Sequence, residues 1–165
     1  MIKIGILGDI GSGKSYIAKN FGYPVFNADE EVKKLYKKNK RIFIKLKKVL
    51  PKFIYSFPIN KNEIIKAIFA NKMNLKKITK IIHSEIRKEM GKFLKKHVNK
   101  KIVILDIPLL LENKINKKED ILVFVKSNKK DILERLKKRR GFNYNLFIKF
   151  KKIQLPLDYK MKKSH

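Results

Sequence analysis

The chain has 165 residues, 44% of them hydrophobic, which suits one domain with a packed core and a small helical insertion. Its 43 Lys and Arg against 14 Asp and Glu give a formal charge of +29, and the absence of cysteine excludes disulfides and thiolate metal sites. The three histidines, His83, His97 and His165, are widely separated and make no metal-ligand pattern.

Ile2 to Leu7 is a short apolar run that gives way at once to a glycine loop, so it is predicted to be a buried parallel strand and not a signal peptide. A helix is expected from about Lys14 to Phe21, closed by Gly22. Pro24-Val25-Phe26 reads as a second strand, ending in Asn27-Ala28-Asp29. Strand, glycine turn, helix and strand make a βαβ unit with an expected right-handed crossover. From Glu30 to about Asn99 the pattern is helical, broken at Pro51 and Pro58, with Asn60 as a cap for a helix through about Ala70. A long amphipathic helix follows from Asn74 or Leu75 to about His97, with Ile78, Ile81, Ile82, Ile86, Met90, Phe93 and Leu94 on one face. Strands return at Ile102 to Leu105, ending at Asp106, and at Ile121 to Val125. Helices are then expected over about Lys129 to Arg139 and Tyr144 to Ile153. No apolar run approaches the roughly 18 residues of a membrane span, so the expectation is a soluble cytoplasmic protein without membrane association.

The charge alone points toward nucleic acid or anionic membrane. The basic residues are almost all lysine, however, with Arg41, Arg87, Arg135, Arg139 and Arg140 as the arginines. Lysine travels here with isoleucine, asparagine and phenylalanine, residues with A/T-rich codons, and it dots the polar faces of helices along the whole chain. Solvated faces and codon bias account for it, and no specific nucleic-acid partner is expected.

Gly8-Asp9-Ile10-Gly11-Ser12-Gly13-Lys14-Ser15 fits G-x-x-x-x-G-K-S. Glycines let such a loop wrap so that backbone N–H groups converge on a phosphate, and the following helix adds its dipole. Lys14 is suited to the β- and γ-phosphates of ATP, and the Ser15 hydroxyl to Mg²⁺. An apolar strand ending just before the motif, and a helix beginning within it, is the context such a site requires. Asp106, at a strand end, is either a Mg²⁺-holding carboxylate or a loop cap. Asp29 is either a carboxylate that orients an acceptor hydroxyl and takes its proton, or an N-cap for a helix starting at Glu30. Arg135, Arg139 and Arg140 precede Gly141 and read as lid arginines for bidentate phosphate contact, or as a solvated helix end.

Together these segments resemble dephospho-coenzyme A kinases over nearly the whole chain. The family's phosphate loop is matched by Gly8 to Ser15, its D-A-D element by Asn27-Ala28-Asp29, and its H-P-x-I-R element by His83-Ser84-Glu85-Ile86-Arg87. Its D-I-P-L-L-x-E element is intact as Asp106-Ile107-Pro108-Leu109-Leu110-Leu111-Glu112, and its lid and Q-x-P segment are similar to Arg135 through Arg140 and Gln154-Leu155-Pro156. The resemblance implies a three-layer α/β P-loop NTPase fold. In it, residues 1–29 and 100–165 form a nucleotide-binding core with a lid at about 139–145, and residues 30–99 form a helical acceptor-binding insertion. It further implies transfer of the ATP γ-phosphoryl group to the ribose 3′-hydroxyl of dephospho-CoA, the last step of coenzyme A synthesis, with Mg²⁺ as cofactor. Asp29, Lys14 and Arg139 are then the catalytic candidates, and Asp29, His83, Arg87 and Asp106 the acceptor-side candidates. Without the resemblance, His83 reads as a helix-face histidine packed on its neighbours.

Asp9 stands where the family usually has glycine, Asn27 replaces the first aspartate of D-A-D, and Ser84 replaces a proline. An Asp9 side chain turned inward is expected to weaken ATP binding; one turned to solvent is not. The family continues past the Q-x-P region with a strand and a closing helix, so the expectation is a fragment or incomplete gene product with one sheet edge unpaired. The rivals are another small-molecule P-loop kinase, a nucleic-acid-binding ATPase and an inactive nucleotide-binding remnant.

Overall fold

The computed structural model describes residues 1–139 and 141–165, so Arg140 lies outside the described residues. It divides into two compact units, Met1–Asn27 with His97–His165, and Ala28–Lys96.

The first unit is built on four parallel strands, β1 (Ile2–Gly8), β2 (Val25–Asn27), β3 (Ile102–Asp106) and β4 (Ile121–Val125), in the order β2-β3-β1-β4. Ile4 pairs with both Ile104 and Ile121, and Asn27 lies opposite Asp106. Side chains alternate between the sheet's faces, and both faces here are apolar, as parallel strands between helices require. Helix α1 (Lys14–Asn20) packs on β1, β2 and β3, where Ile4, Ile6, Ala18 and Ile104 form a core with Phe21 and Val25. On the other face Leu110 covers Gly5 so closely that a methyl group there would start 2.5 Å from the leucine side chain. The D-I-P-L-L-x-E segment reaches this position by a turn in which Leu109 takes a left-handed conformation, φ 57°.

After β4 come α6 (Lys129–Lys138), α7 (Tyr144–Lys151) and α8 (Leu157–Lys162), the last of which the sequence did not reveal. Helix α8 packs on β1 and carries Lys160, which is 2% exposed. Its ammonium meets Glu112 Oε1 at 2.6 Å, and the same oxygen accepts the Leu155 N–H at 3.0 Å. Beyond it, the His165 N–H donates to the Leu122 carbonyl at 2.9 Å, while the Leu122 N–H donates to His165 Nδ1 at 3.1 Å.

The second unit is helical: α2 (Ala28–Lys38), α3 (Lys40–Val49), α4 (Lys61–Ala70) and α5 (Lys72–Lys96). Asparagine side chains cap three of these helices, Asn39 taking the Ile42 N–H, Asn60 the Asn62 N–H and Asn71 the Met73 N–H. Helix α5 packs against α2, α3 and α4 and buries Ile78, Ile82 and Ile86, the centre of the face expected from its periodicity. The buried Glu63 closes the α3–α4 connection by accepting the N–H groups of Tyr55 and Ser56.

A buried ion pair contributes little net, but removing one partner strands the other charge. Lys160→Met should therefore lower the stability of the chain by about 3 kcal/mol in urea denaturation, because Glu112 loses its cation. Lys162→Ala, on the exposed side of the same helix, should change it by less than about 0.5 kcal/mol.

Candidate active site

The glycine motif forms a loop between the end of β1 and the start of α1, as its pattern predicts. Gly8 turns away from the sheet at φ 144°, and a side chain there would start 2.7 Å from the Val125 carbonyl oxygen. Gly13 opens α1 with φ 94°, and no side chain caps the helix. The first-turn N–H groups have no acceptor within a helix, so they suit an anion at this end of α1. Lys14 Nζ donates to the Asp9 carbonyl at 2.6 Å and the Gly8 carbonyl at 3.4 Å, which keeps the ammonium over its own loop. The Ser15 side chain, one residue further along α1, is exposed.

The loop's flank is held by residues more than a hundred positions away. Ser127, just beyond β4, donates its hydroxyl to the Ser12 carbonyl at 2.8 Å. Arg135 Nη1 donates to the same carbonyl and to Ser127 Oγ, both at 3.2 Å. Gly11 fits against Ile132 and Leu136 of α6, where a methyl group would start 3.0 to 3.2 Å from their side chains. Arg135 is thus a brace for the phosphate loop. Arg139 ends α6 as its C-cap, with its backbone N–H on the Leu136 carbonyl and an exposed side chain. Ser127 carried no sequence signal, since a lone serine beyond a strand belongs to no pattern.

At the carboxyl end of β3, Asp106 is 3% exposed and accepts a hydrogen bond from Asn27 Nδ2 at 2.6 Å. Two carboxylates facing each other here would repel, so an asparagine at position 27 turns that clash into a hydrogen bond. The expected place of Asp29 needs correction. Strand β2 ends at Asn27 and α2 begins at Ala28, so Asp29 lies in the first helical turn, neither at the strand's end nor at an N-cap. The three consecutive acidic residues Asp29, Glu30 and Glu31 favour a helix start there through the helix dipole.

His83 and Arg87 lie one turn apart on α5, in the helical unit. Burial lowers the His83 pKa below its ordinary 6.5, and the neighbouring Arg87 charge lowers it further. The imidazole is therefore neutral at physiological pH and offers one donor and one acceptor.

The residues at the phosphate loop fit a Mg²⁺ ion carried in with a nucleotide. Such an ion needs one or two protein oxygens beside phosphate and water, and Ser15 offers an exposed hydroxyl. Among the described residues no group of three or more His, Cys, Asp and Glu could form an all-protein cage. A cleft of about 590 Å³, lined by Gly22, Tyr23, Pro24 and Asn99 to Ile102, opens instead at the amino ends of β2 and β3. Ligands of open α/β sheets bind at the opposite, carboxyl ends, where the glycine loop stands.

The family model described as Dephospho-CoA kinase matches residues 2–165. A dephospho-CoA kinase of Wolbachia sp. subsp. Brugia malayi is 34% identical over 166 residues, covering 98% of this chain and 85% of the relative. One of Rickettsia bellii is 32% identical over 167 residues, covering 99% and 85%. Among solved structures, TT1252 from Thermus thermophilus superposes with a TM-score of 0.80 at 26% identity, covering 99% of this chain and 85% of that one. A dephospho-CoA kinase from Campylobacter jejuni shares the fold, with a TM-score of 0.62 at 20% identity over the same shares.

Because the folded state prefers neutral His83, the unfolded chain takes up its proton first as the solution is acidified. Stability is kept above pH 6.5 and lost as pH falls toward the lowered folded value. Thermal midpoints measured between about pH 7.5 and 5 should fall less steeply for His83→Asn than for the parent chain. Equal slopes would remove the histidine from the acid response.

Proposed function

The chain belongs to the dephospho-CoA kinase family, and we propose that its phosphate loop presents Mg-ATP for attack by the ribose 3′-hydroxyl of dephospho-CoA. It is a kinase of coenzyme A synthesis, acting at the last step. What carries the reading is an intact G-x-x-x-x-G-K-S loop on a parallel sheet, combined in this family with the Asp106 to Glu112 motif.

The acceptor oxygen attacks the γ-phosphorus in line, the bond to the β–γ bridging oxygen breaks, and ADP leaves. Positioning and charge neutralisation supply most of the catalysis. Lys14 leaves its carbonyl partners for the β- and γ-phosphate oxygens, while the loop N–H groups and the start of α1 hold the β-phosphate. Ser15 would hold Mg²⁺ through its hydroxyl, with Asp106 as its carboxylate partner, and the ion would supply positive charge to neutralise the phosphates. Asp29 accepts the acceptor hydroxyl's proton, and Arg139 reaches the transferring group from the end of α6. Residues 30–99 supply the acceptor pocket, with His83 and Arg87 as its polar contacts and Arg87 suited to phosphate. No described helix is long and apolar enough to cross a membrane, and the cytoplasm, where ATP and small-molecule acceptors meet, is the proposed location.

Incubation with Mg-ATP and dephospho-CoA should yield ADP and a product heavier by one phosphoryl group, measured by mass. Lys14→Ala should abolish it, and Asp29→Asn should lower kcat by about 10²–10⁴-fold with little change in ATP affinity. Adenosine monophosphate, cytidine monophosphate and RNA serve as parallel acceptors or activators. Turnover with one of these alone would overturn the acceptor assignment, and RNA-stimulated hydrolysis with a steep salt slope would favour a nucleic-acid ATPase.

A further inference from the structure

Asp9 brings a negative charge into a loop whose task is to hold polyphosphate. Its side chain is 13% exposed, so the charge is turned inward and not dispersed into solvent. One carboxylate oxygen, Oδ1, accepts the Ile10 N–H at 2.7 Å. The other, Oδ2, is ion-paired with the ammonium of Lys151, the last residue of α7. The carbonyl of the same Asp9 accepts the Lys14 ammonium. Asp9 is therefore joined to two cations, one local in sequence and one 142 residues away.

An uncompensated carboxylate beside the triphosphate would repel it, and screening by water is weak for a side chain this enclosed. We propose that Lys151 is a positioning residue for nucleotide binding: it neutralises Asp9, fixes the carboxylate to one side of the loop and leaves Lys14 to the phosphates. The pair also ties α7, and with it the segment after Gly141, to the mouth of the phosphate loop. This inference rests on ATP binding at that loop.

The test is a double-mutant cycle on the full chain, read as the dissociation constant for Mg-ATP by calorimetry and as KM for each substrate. Lys151→Ala should weaken ATP binding about tenfold with Asp9 present, and by less than about twofold in an Asp9→Gly background. Lys151→Arg should retain most of the affinity. The KM for dephospho-CoA should stay unchanged. Equal losses in both backgrounds would mean that Lys151 acts only through the general positive field, and unchanged affinity in Lys151→Ala would mean that the pair is a surface contact; either overturns the proposal. Should Lys151→Ala fold poorly, Lys151→Gln replaces it with the same expected outcomes. ATP binding without turnover of dephospho-CoA would sink the acceptor assignment and leave the cycle readable. A parent chain that binds no ATP would overturn both.

Discussion

The tight turn at Gly8 constrains the rest of the nucleotide-binding unit, because a side chain there would start 2.7 Å from the Val125 carbonyl and 2.8 Å from Ser12 Oγ. Only a backbone pressed this closely on the end of β4 brings Ser12 within reach of Ser127, and only then can Arg135 brace both. Gly11 repeats the device against α6. The loop is thus held from outside through the Ser12 carbonyl, while its own Ile10 N–H is taken by the Asp9 carboxylate. Its geometry is set by strand and helix packing and not by the flexibility that glycines suggest.

Charge is arranged in two tiers. Most lysines are exposed on helix faces and set only the general field, while a few are drawn inward to specific carboxylates. Lys160 with Glu112, Lys151 with Asp9 and Lys3 with the buried Asp120 are such cases. In a chain with 14 acidic residues, several of the carboxylates that enter the sheet unit are thereby each met by a cation. Asn27 beside Asp106 follows the same economy by avoiding a second negative charge.

The βαβ start, the phosphate loop, β4 and the buried face of α5 were legible because each rests on local signals: an apolar run, glycine spacing or a helical period. Asparagine caps at Asn60 and the stop at Gly22 were legible for the same reason. Asp29 was misplaced because β2 is only three residues long and the chain passes from strand to helix without a loop. Helix α8 escaped notice because six residues are too few for a period to register. Lys151 and Lys160 could not be told from the lysines around them. Their partners lie far off in sequence, and a lysine-rich composition hides the few that are structural.

The tie between Glu112 and Lys160 carries a consequence for how the protein comes into being. On the ribosome the strand bearing Asp106 and the loop after it are made some fifty residues before α8. Until Lys160 and the Leu155 amide emerge, Glu112 has neither of these partners and cannot be buried without cost. Domains form as units during synthesis, at roughly 5–20 residues per second. The loop bearing Glu112 therefore lacks these two partners for seconds after its own residues are made, until Leu155 and α8 follow.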